Sequence, residues 1–175
     1  MQRIFLVGYM CAGKTTLGKV LSEQTNLSFI DLDQFIEECY LRTIPQLFEE
    51  RGENGFREIE RKVLCEVAGF DDVVISTGGG TPCFHGNMAL MNSAGTTVYL
   101  KLPVGELVKR IEPHKGTRPL LKNRSGDGLK QFVEKSLAER TPYYEQAQIV
   151  LNAEMMDSQT DVNTLAGRLG EILFS

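Results

Sequence analysis

The chain has no C-x-x-C pair among its four cysteines, Cys11, Cys39, Cys65 and Cys83, and neither of its two histidines stands near one of them at a zinc-ligand interval. A zinc site of recognisable spacing and a disulfide scaffold are thereby excluded, leaving reduced thiols that suit a cytoplasmic protein, each expected to be a small buried hydrophobe. No apolar run approaches the length needed to cross a bilayer, so no membrane association is expected. Residues 4–12 are apolar enough for a secretory signal core, but the Gly13-Lys14 pair and the amphipathic pattern behind it have no place in one. Positive charge is not in excess either: 19 Lys and Arg against 23 Asp and Glu give a net charge of −4. That argues against a general nucleic-acid-binding surface, and any arginines that converge must do so in a site. There is no internal repeat and no low-complexity tract. A length of 175 residues suits a single domain over 1–175, and with no long exposed apolar stripe to cover, a monomer is expected.

What is present is most concentrated near the N-terminus. Gly8-Tyr9-Met10-Cys11-Ala12-Gly13-Lys14-Thr15 reads G-x-x-x-x-G-K-[ST], directly after the apolar run Ile4–Val7 and before Leu17, Val20 and Leu21 at helical spacing. Strand, glycine-containing loop and helix in that order form a phosphate-binding loop, whose backbone N–H groups point at phosphate oxygens. Cys11, Ala12, Gly13, Lys14, Thr15 and Thr16 are the residues expected to hold the nucleotide. Lys14 adds charge near the β- and γ-phosphates, and the Thr15 hydroxyl can ligate Mg²⁺.

Five short apolar segments, Ile4–Val7, Ser28–Asp31, Val73–Ser76, Thr97–Leu102 and Ile149–Leu151, are separated by helical patterns. Such alternation predicts an α/β protein, a three-layer α/β/α sandwich around a central five-stranded parallel sheet. Helical periodicity marks Glu53–Phe70, the stretch after Pro103 with Val104, Leu107, Val108 and Ile111, and Asp127–Arg140. Between the last two, residues 112–128 combine Pro113, Pro119, Gly116, Gly126 and Gly128 with charged side chains. This segment reads as a mobile lid or as a plain solvated loop.

In an open parallel sheet the ligand lies beyond the carboxyl ends of the strands. After the second strand stand Asp31 and Asp33, whose i, i+2 spacing in an extended segment would point both carboxylates to one side, one toward Mg²⁺ and one toward a hydroxyl nucleophile. The alternative is that Asp33 merely caps the following helix. After the third strand, Gly78-Gly79-Gly80 suits close backbone approach to a ligand, or a flexible turn. On the helix Glu53–Phe70, Glu60 falls about 40° from Phe56, within the apolar face, and needs a partner there. Arg57 can supply one and so be aimed into the site, unless the two form only a surface ion pair. Arg140 is in register with the apolar face of its own helix, giving either a second inward arginine for an anion or a structural ion pair. In the lid, Arg118 on the stiff Arg118-Pro119-Leu120-Leu121 stretch could close onto the γ-phosphate and help exclude water.

Taken together, Gly8–Thr16, Asp31-x-Asp33, Phe56-Arg57-x-x-Glu60, Gly78–Gly80, Arg118-Pro119-Leu120-Leu121 and Glu139-Arg140-x-Pro142-x-Tyr144 resemble the shikimate kinase family in order and spacing over nearly the whole chain. The resemblance implies transfer of the ATP γ-phosphoryl group to the 3-hydroxyl of shikimate, with Mg²⁺ held by Thr15 and, through water, by Asp31. It implies Lys14, Asp33 and Arg118 as catalytic residues, Asp33, Arg57, Gly79 and Arg140 as the shikimate contacts, and Glu60 behind Arg57. The region 33–62 would bind the acceptor, and Arg110 would stack on the adenine. Two loop positions depart from the family pattern, Cys11 where glycine is common and Thr15 where serine is frequent. Thr15 keeps the hydroxyl, whereas Cys11 must adopt either an ordinary or a left-handed backbone conformation. The stretch 152–161, expected near the adenine, matches the family pattern poorly.

Three rival readings share the loop. A gluconate or nucleotide kinase would need another acceptor pocket, against which Arg57, Arg140 and Asp33 argue. A regulatory GTPase would need an N-K-x-D base-reading motif, which the sequence lacks. A nucleotide binder without catalysis would not need Lys14, Thr15, Asp33 and Arg118 together.

Overall fold

The computed structural model describes residues 1–117, 121 and 123–175. Five strands, β1 (Arg3–Val7), β2 (Ser28–Asp31), β3 (Val73–Ser76), β4 (Thr96–Lys101) and β5 (Ile149–Asn152), alternate with helices α1 (Lys14–Thr25), α2 (Leu32–Tyr40), α3 (Ile44–Val67), α4 (Asn87–Ala94), α5 (Val104–Ile111), α6 (Gly126–Tyr144) and α7 (Gln159–Phe174). All pairings are parallel, in the order β2-β3-β1-β4-β5. Ile4–Val7 and the whole of β3 are buried, as expected of inner strands covered on both faces. Helices on both sides of this sheet give the three-layer α/β/α sandwich.

The strand order positions the site. Register pairs Asp31 with Ser76 and Leu6 with Ser76, so the carboxyl ends of β2, β3 and β1 lie side by side. β1 sits between β3 and β4, where successive connections diverge, and the phosphate loop leaves from its end. No helix among the described residues is long and apolar enough to cross a membrane.

Several expectations are corrected. The helix predicted over Glu53–Phe70 ends earlier, at Val67, and its start agrees with a break within α3 at Gly52, whose φ of 67° and ψ of 179° are not helical; the helical turns from Ile44 to that break, behind a Thr43 capping box, were not expected. Within the segment read as a lid, Glu112–Thr117 is a 3₁₀ segment, Leu121 is fully buried in the core, and α6 already begins at Gly126. None of the cysteines is a fully buried hydrophobe. Cys39 and Cys65 are exposed on α2 and α3, Cys11 and Cys83 are partly exposed, and all four are free thiols.

Candidate active site

The phosphate loop takes its shape from three residues at positive φ. Gly8 (147°) brings the backbone so close to β4 that a Cβ would lie 2.9 Å from the Leu100 carbonyl oxygen, and Gly13 (97°) is the N-cap of α1. Cys11 adopts the left-handed conformation, with φ 61°, at a cost of roughly 1–2 kcal/mol for a residue with a Cβ. No side chain caps α1, so its first N–H groups remain for an anion. Lys14 is buried within the loop, and its Nζ donates to the carbonyls of Gly8 (2.7 Å) and Tyr9 (2.8 Å).

At the end of β2, Asp31 rather than Asp33 caps α2: its Oδ1 accepts the Gln34 N–H at 3.2 Å. Asp33 lies in the first helical turn, so the two carboxylates are separated by a strand-to-helix turn and not by an extended segment. Asp31 Oδ2 accepts from the Thr15 hydroxyl at 2.7 Å, and Ser76 Oγ stands 3.4 Å from the same hydroxyl. Among the described residues no cluster of three His, Cys, Asp or Glu side chains could hold a metal. Thr15, Asp31 and Ser76 offer oxygen atoms only, a set that fits Mg²⁺, which keeps several waters and takes few protein ligands. Ser76 was not anticipated; its signal is its place as the last residue of a buried strand, across from Asp31.

Each glycine of the triplet after β3 makes room for a different charged side chain. A Cβ on Gly78 would lie 3.0 Å from Asp33 Oδ1, one on Gly79 3.4 Å from Arg140 Nη1, and one on Gly80 2.6 Å from Arg57 Nη2. None of the three has positive φ, so close approach and not backbone freedom selects glycine here. Burial, then the like charges of Asp31 and Glu60, raise the Asp33 pKa from 3.8 to about 6 against the opposing pull of Lys14.

Arg57 is almost fully buried, with its guanidinium 4.1 Å from the Phe84 ring. Its Nη1 donates to Glu60 Oε2 at 2.8 Å, while the other oxygen of that buried carboxylate accepts from Thr81 Oγ1 at 2.6 Å. Asn87 in turn donates to the Thr81 carbonyl (2.8 Å) and accepts from Arg61 (3.0 Å). Glu60 therefore holds Arg57 in place, and the surface ion-pair alternative is excluded by its 1% exposure. Arg57 Nε is buried and donates to nothing among the described residues. Arg140 reaches the same region from α6, over the Tyr9 ring at 5.4 Å. Tyr9 is itself tied to α6 through its hydroxyl, 2.5 Å from Ser136 Oγ.

An open cavity of about 690 Å³ joins these parts. Its walls include the phosphate loop, Asp31, Asp33, Ser76–Gly79 and, at the far end, Arg110, Pro113, His114, Met156 and Asp157. Arg57 and Arg140 adjoin it behind Gly80 and Gly79. Arg110 donates to the carbonyls of Ala12 (3.2 Å), Ala153 (2.8 Å) and Glu154 (3.2 Å), fastening the phosphate loop to the segment after β5. The Met156 side chain comes to 2.9 Å from the Cβ position at Gly13. Met156 falls in the stretch 152–161 expected near the adenine and His114 in the segment read as a lid, but neither was singled out by residue. Arg118 lies outside the described residues.

A sequence model of the shikimate kinase family matches residues 10–169. A shikimate kinase of Parabacteroides distasonis is 56% identical over 99% of this chain and 100% of its own length. Among solved structures, shikimate kinase from Bacteroides thetaiotaomicron superposes with a TM-score of 0.95 at 48% identity, covering 98% of each chain. The Acinetobacter baumannii shikimate kinase in complex with shikimate gives 0.85 at 35% identity, over 98% of this chain and 92% of that one.

Proposed function

The chain belongs to the shikimate kinase family and transfers a phosphoryl group from ATP to shikimate, and from that premise we propose how its residues divide the work. The γ-phosphoryl group passes to the 3-hydroxyl, leaving ADP and shikimate 3-phosphate for the route to aromatic amino acids. The amides of Cys11–Thr16 and the Lys14 ammonium hold the β- and γ-phosphates, Lys14 exchanging its carbonyl partners for phosphate oxygens. Mg²⁺ would be held by Thr15 and, through water, by Asp31, with Ser76 beside them, and supplies neutralisation of charge on the phosphates.

Asp33 accepts a hydrogen bond from the 3-hydroxyl and takes its proton as the new P–O bond forms. With a pKa of about 6 it is mostly ionised at neutral pH yet more basic than an ordinary carboxylate. The carboxylate of shikimate lies between Arg57 and Arg140. Glu60 occupies Nη1 of Arg57, while Nη2 stands 3.9 Å from the exposed Glu53 carboxylate, beyond hydrogen-bond distance, and can turn to the substrate. Gly79 offers a backbone contact. The N–H groups of Arg110 are engaged by carbonyls, so its part in binding adenine is to present its flat face at the cavity wall. Arg118 closes on the γ-phosphate as charge moves to the leaving oxygen. All these residues belong to one chain, which suits a monomer, and four free thiols suit the cytoplasm.

The observation that carries this reading is the glycine triplet. Three consecutive residues, one strand away from the phosphate loop, bring together a carboxylate for a hydroxyl and two arginines for an acid. The test is Mg²⁺-dependent ADP release with shikimate, gluconate or nucleoside monophosphates supplied in turn. Turnover with shikimate alone is expected; its absence would overturn the reading.

A further inference from the structure

Two of the proposed shikimate contacts, Gly79 and Arg140, come from distant parts of the chain, and a buried hydroxyl one turn from Arg140 holds the glycine. Tyr144 lies one turn after Arg140 on α6 and is fully buried. Its ring lies 5.1 Å from that of Tyr99 on β4, which fixes where the phenol can reach. The hydroxyl donates to the Gly79 carbonyl at 2.5 Å, and the Arg140 guanidinium lies beside the same glycine, its Nη1 3.4 Å from where a Gly79 Cβ would stand. A phenol has one proton to give, and here it is committed to the Gly79 oxygen.

We propose that Tyr144 is a positioning residue for shikimate, its hydroxyl fixing the Gly79–Gly80 peptide beside the Arg140 guanidinium. This rests on the functional reading above, in which Gly79 and Arg140 touch the acceptor. The mechanism is local. A trans peptide unit points its C=O and the next N–H in opposite directions, so tethering the Gly79 carbonyl to Tyr144 aims the Gly80 N–H away from α6. With its orientation fixed beforehand, the peptide loses less freedom when the acceptor docks against it. Burial raises the Tyr144 pKa far above the ordinary phenol range, so the hydroxyl keeps its proton through the working pH range.

Tyr144→Phe keeps the ring against Tyr99 and removes only the hydroxyl. Steady-state kinetics beside the wild type are expected to show a shikimate KM raised roughly 3–10-fold, a range set by the loss of one hydrogen bond, with the ATP KM within about twofold. Circular dichroism establishes that the variant is folded at the assay temperature. In an Arg140→Ala background the same substitution is expected to raise the shikimate KM by a clearly smaller factor, because the two groups act together. An unchanged shikimate KM, a parallel rise in the ATP KM, or full additivity with Arg140→Ala would each overturn the inference while leaving shikimate turnover intact. A wild type that does not release ADP with shikimate would overturn the functional reading and this inference together.

Discussion

Asp33 shows how far one residue's environment is tuned against stability. Its folded-state pKa of about 6 stands above the ordinary 3.8, so the folded protein holds this proton more tightly than the unfolded chain does. The stability contributed by that proton is fully present below about pH 4 and is lost as the pH rises to about 6. At neutral pH the ionised carboxylate is thus a cost that the active site tolerates for the sake of a base. Asp33→Asn is expected to lower kcat by roughly 10²–10⁴-fold while raising Tm at pH 7.5 by roughly 2–4 °C. A thermal melt with an assay on the same sample checks both signs. In the wild type, kcat/KM is expected to fall on the acid side with a midpoint near 6. A second buried carboxylate, Glu60, supports Arg57 instead of reacting, and Thr81→Val weakens that support by removing the donor to Glu60 Oε1. The expected result is a shikimate KM raised by roughly 3–10-fold with the ATP KM unchanged, read from initial rates.

At the level of elements, the segment from β3 to the 3₁₀ turn Thr81–Cys83 does more to assemble the acceptor site than any helix. Gly80→Ala isolates this role. Gly80 has φ −91°, which alanine adopts without strain, but its Cβ would meet the buried Arg57 guanidinium at 2.6 Å. Displacement of Arg57 is expected to raise the shikimate KM by roughly tenfold or more with the ATP KM within about twofold, and to lower Tm because the buried pair with Glu60 is disturbed; melts and initial rates on one preparation read all three. The phosphate loop and the strands were legible in the sequence because their signals are local: spacing, glycines and apolar runs. Arg57 with Glu60 was legible for the same reason, being one turn of one helix. Tyr144, Ser76 and the bracing by Arg110 were not, since each depends on which strand ends the order β2-β3-β1-β4-β5 places together. Asp31 and Asp33 were expected on one extended segment, whereas helix α2 begins between them. The exposed Cys39 and Cys65 show the limit of composition, which carries no information about the face of a helix on which a thiol falls.

Across the whole molecule, the proposed function assigns the nucleotide and the acceptor to different sets of contacts meeting at the carboxyl ends of β1 and β3. The nucleotide side is the phosphate loop, Arg110 and the segment after β5; the acceptor side is Asp33, α3, the glycine triplet and α6. Tyr9, within the phosphate loop and bonded to Ser136 on α6, is a direct tie between the two sides. This division makes a statement about stability as well as kinetics, because a ligand stabilises the fold in proportion to its occupancy of the native state. Shikimate at one hundred times its Kd should add about 2.7 kcal/mol, which for a chain of this size raises Tm by roughly 5–10 °C. In Arg57→Ala the same shikimate concentration should give a shift of at most a degree or two, since the carboxylate loses a charge-assisted partner from a buried position. The shift produced by ATP with Mg²⁺ should match the wild type, because Arg57 touches none of the nucleotide contacts. Differential scanning fluorimetry of both proteins with each ligand alone reads all four shifts. Equal loss of the two shifts in the variant would mean that Arg57 supports the whole cavity and not the acceptor side, and the division between the two sides would fall with it.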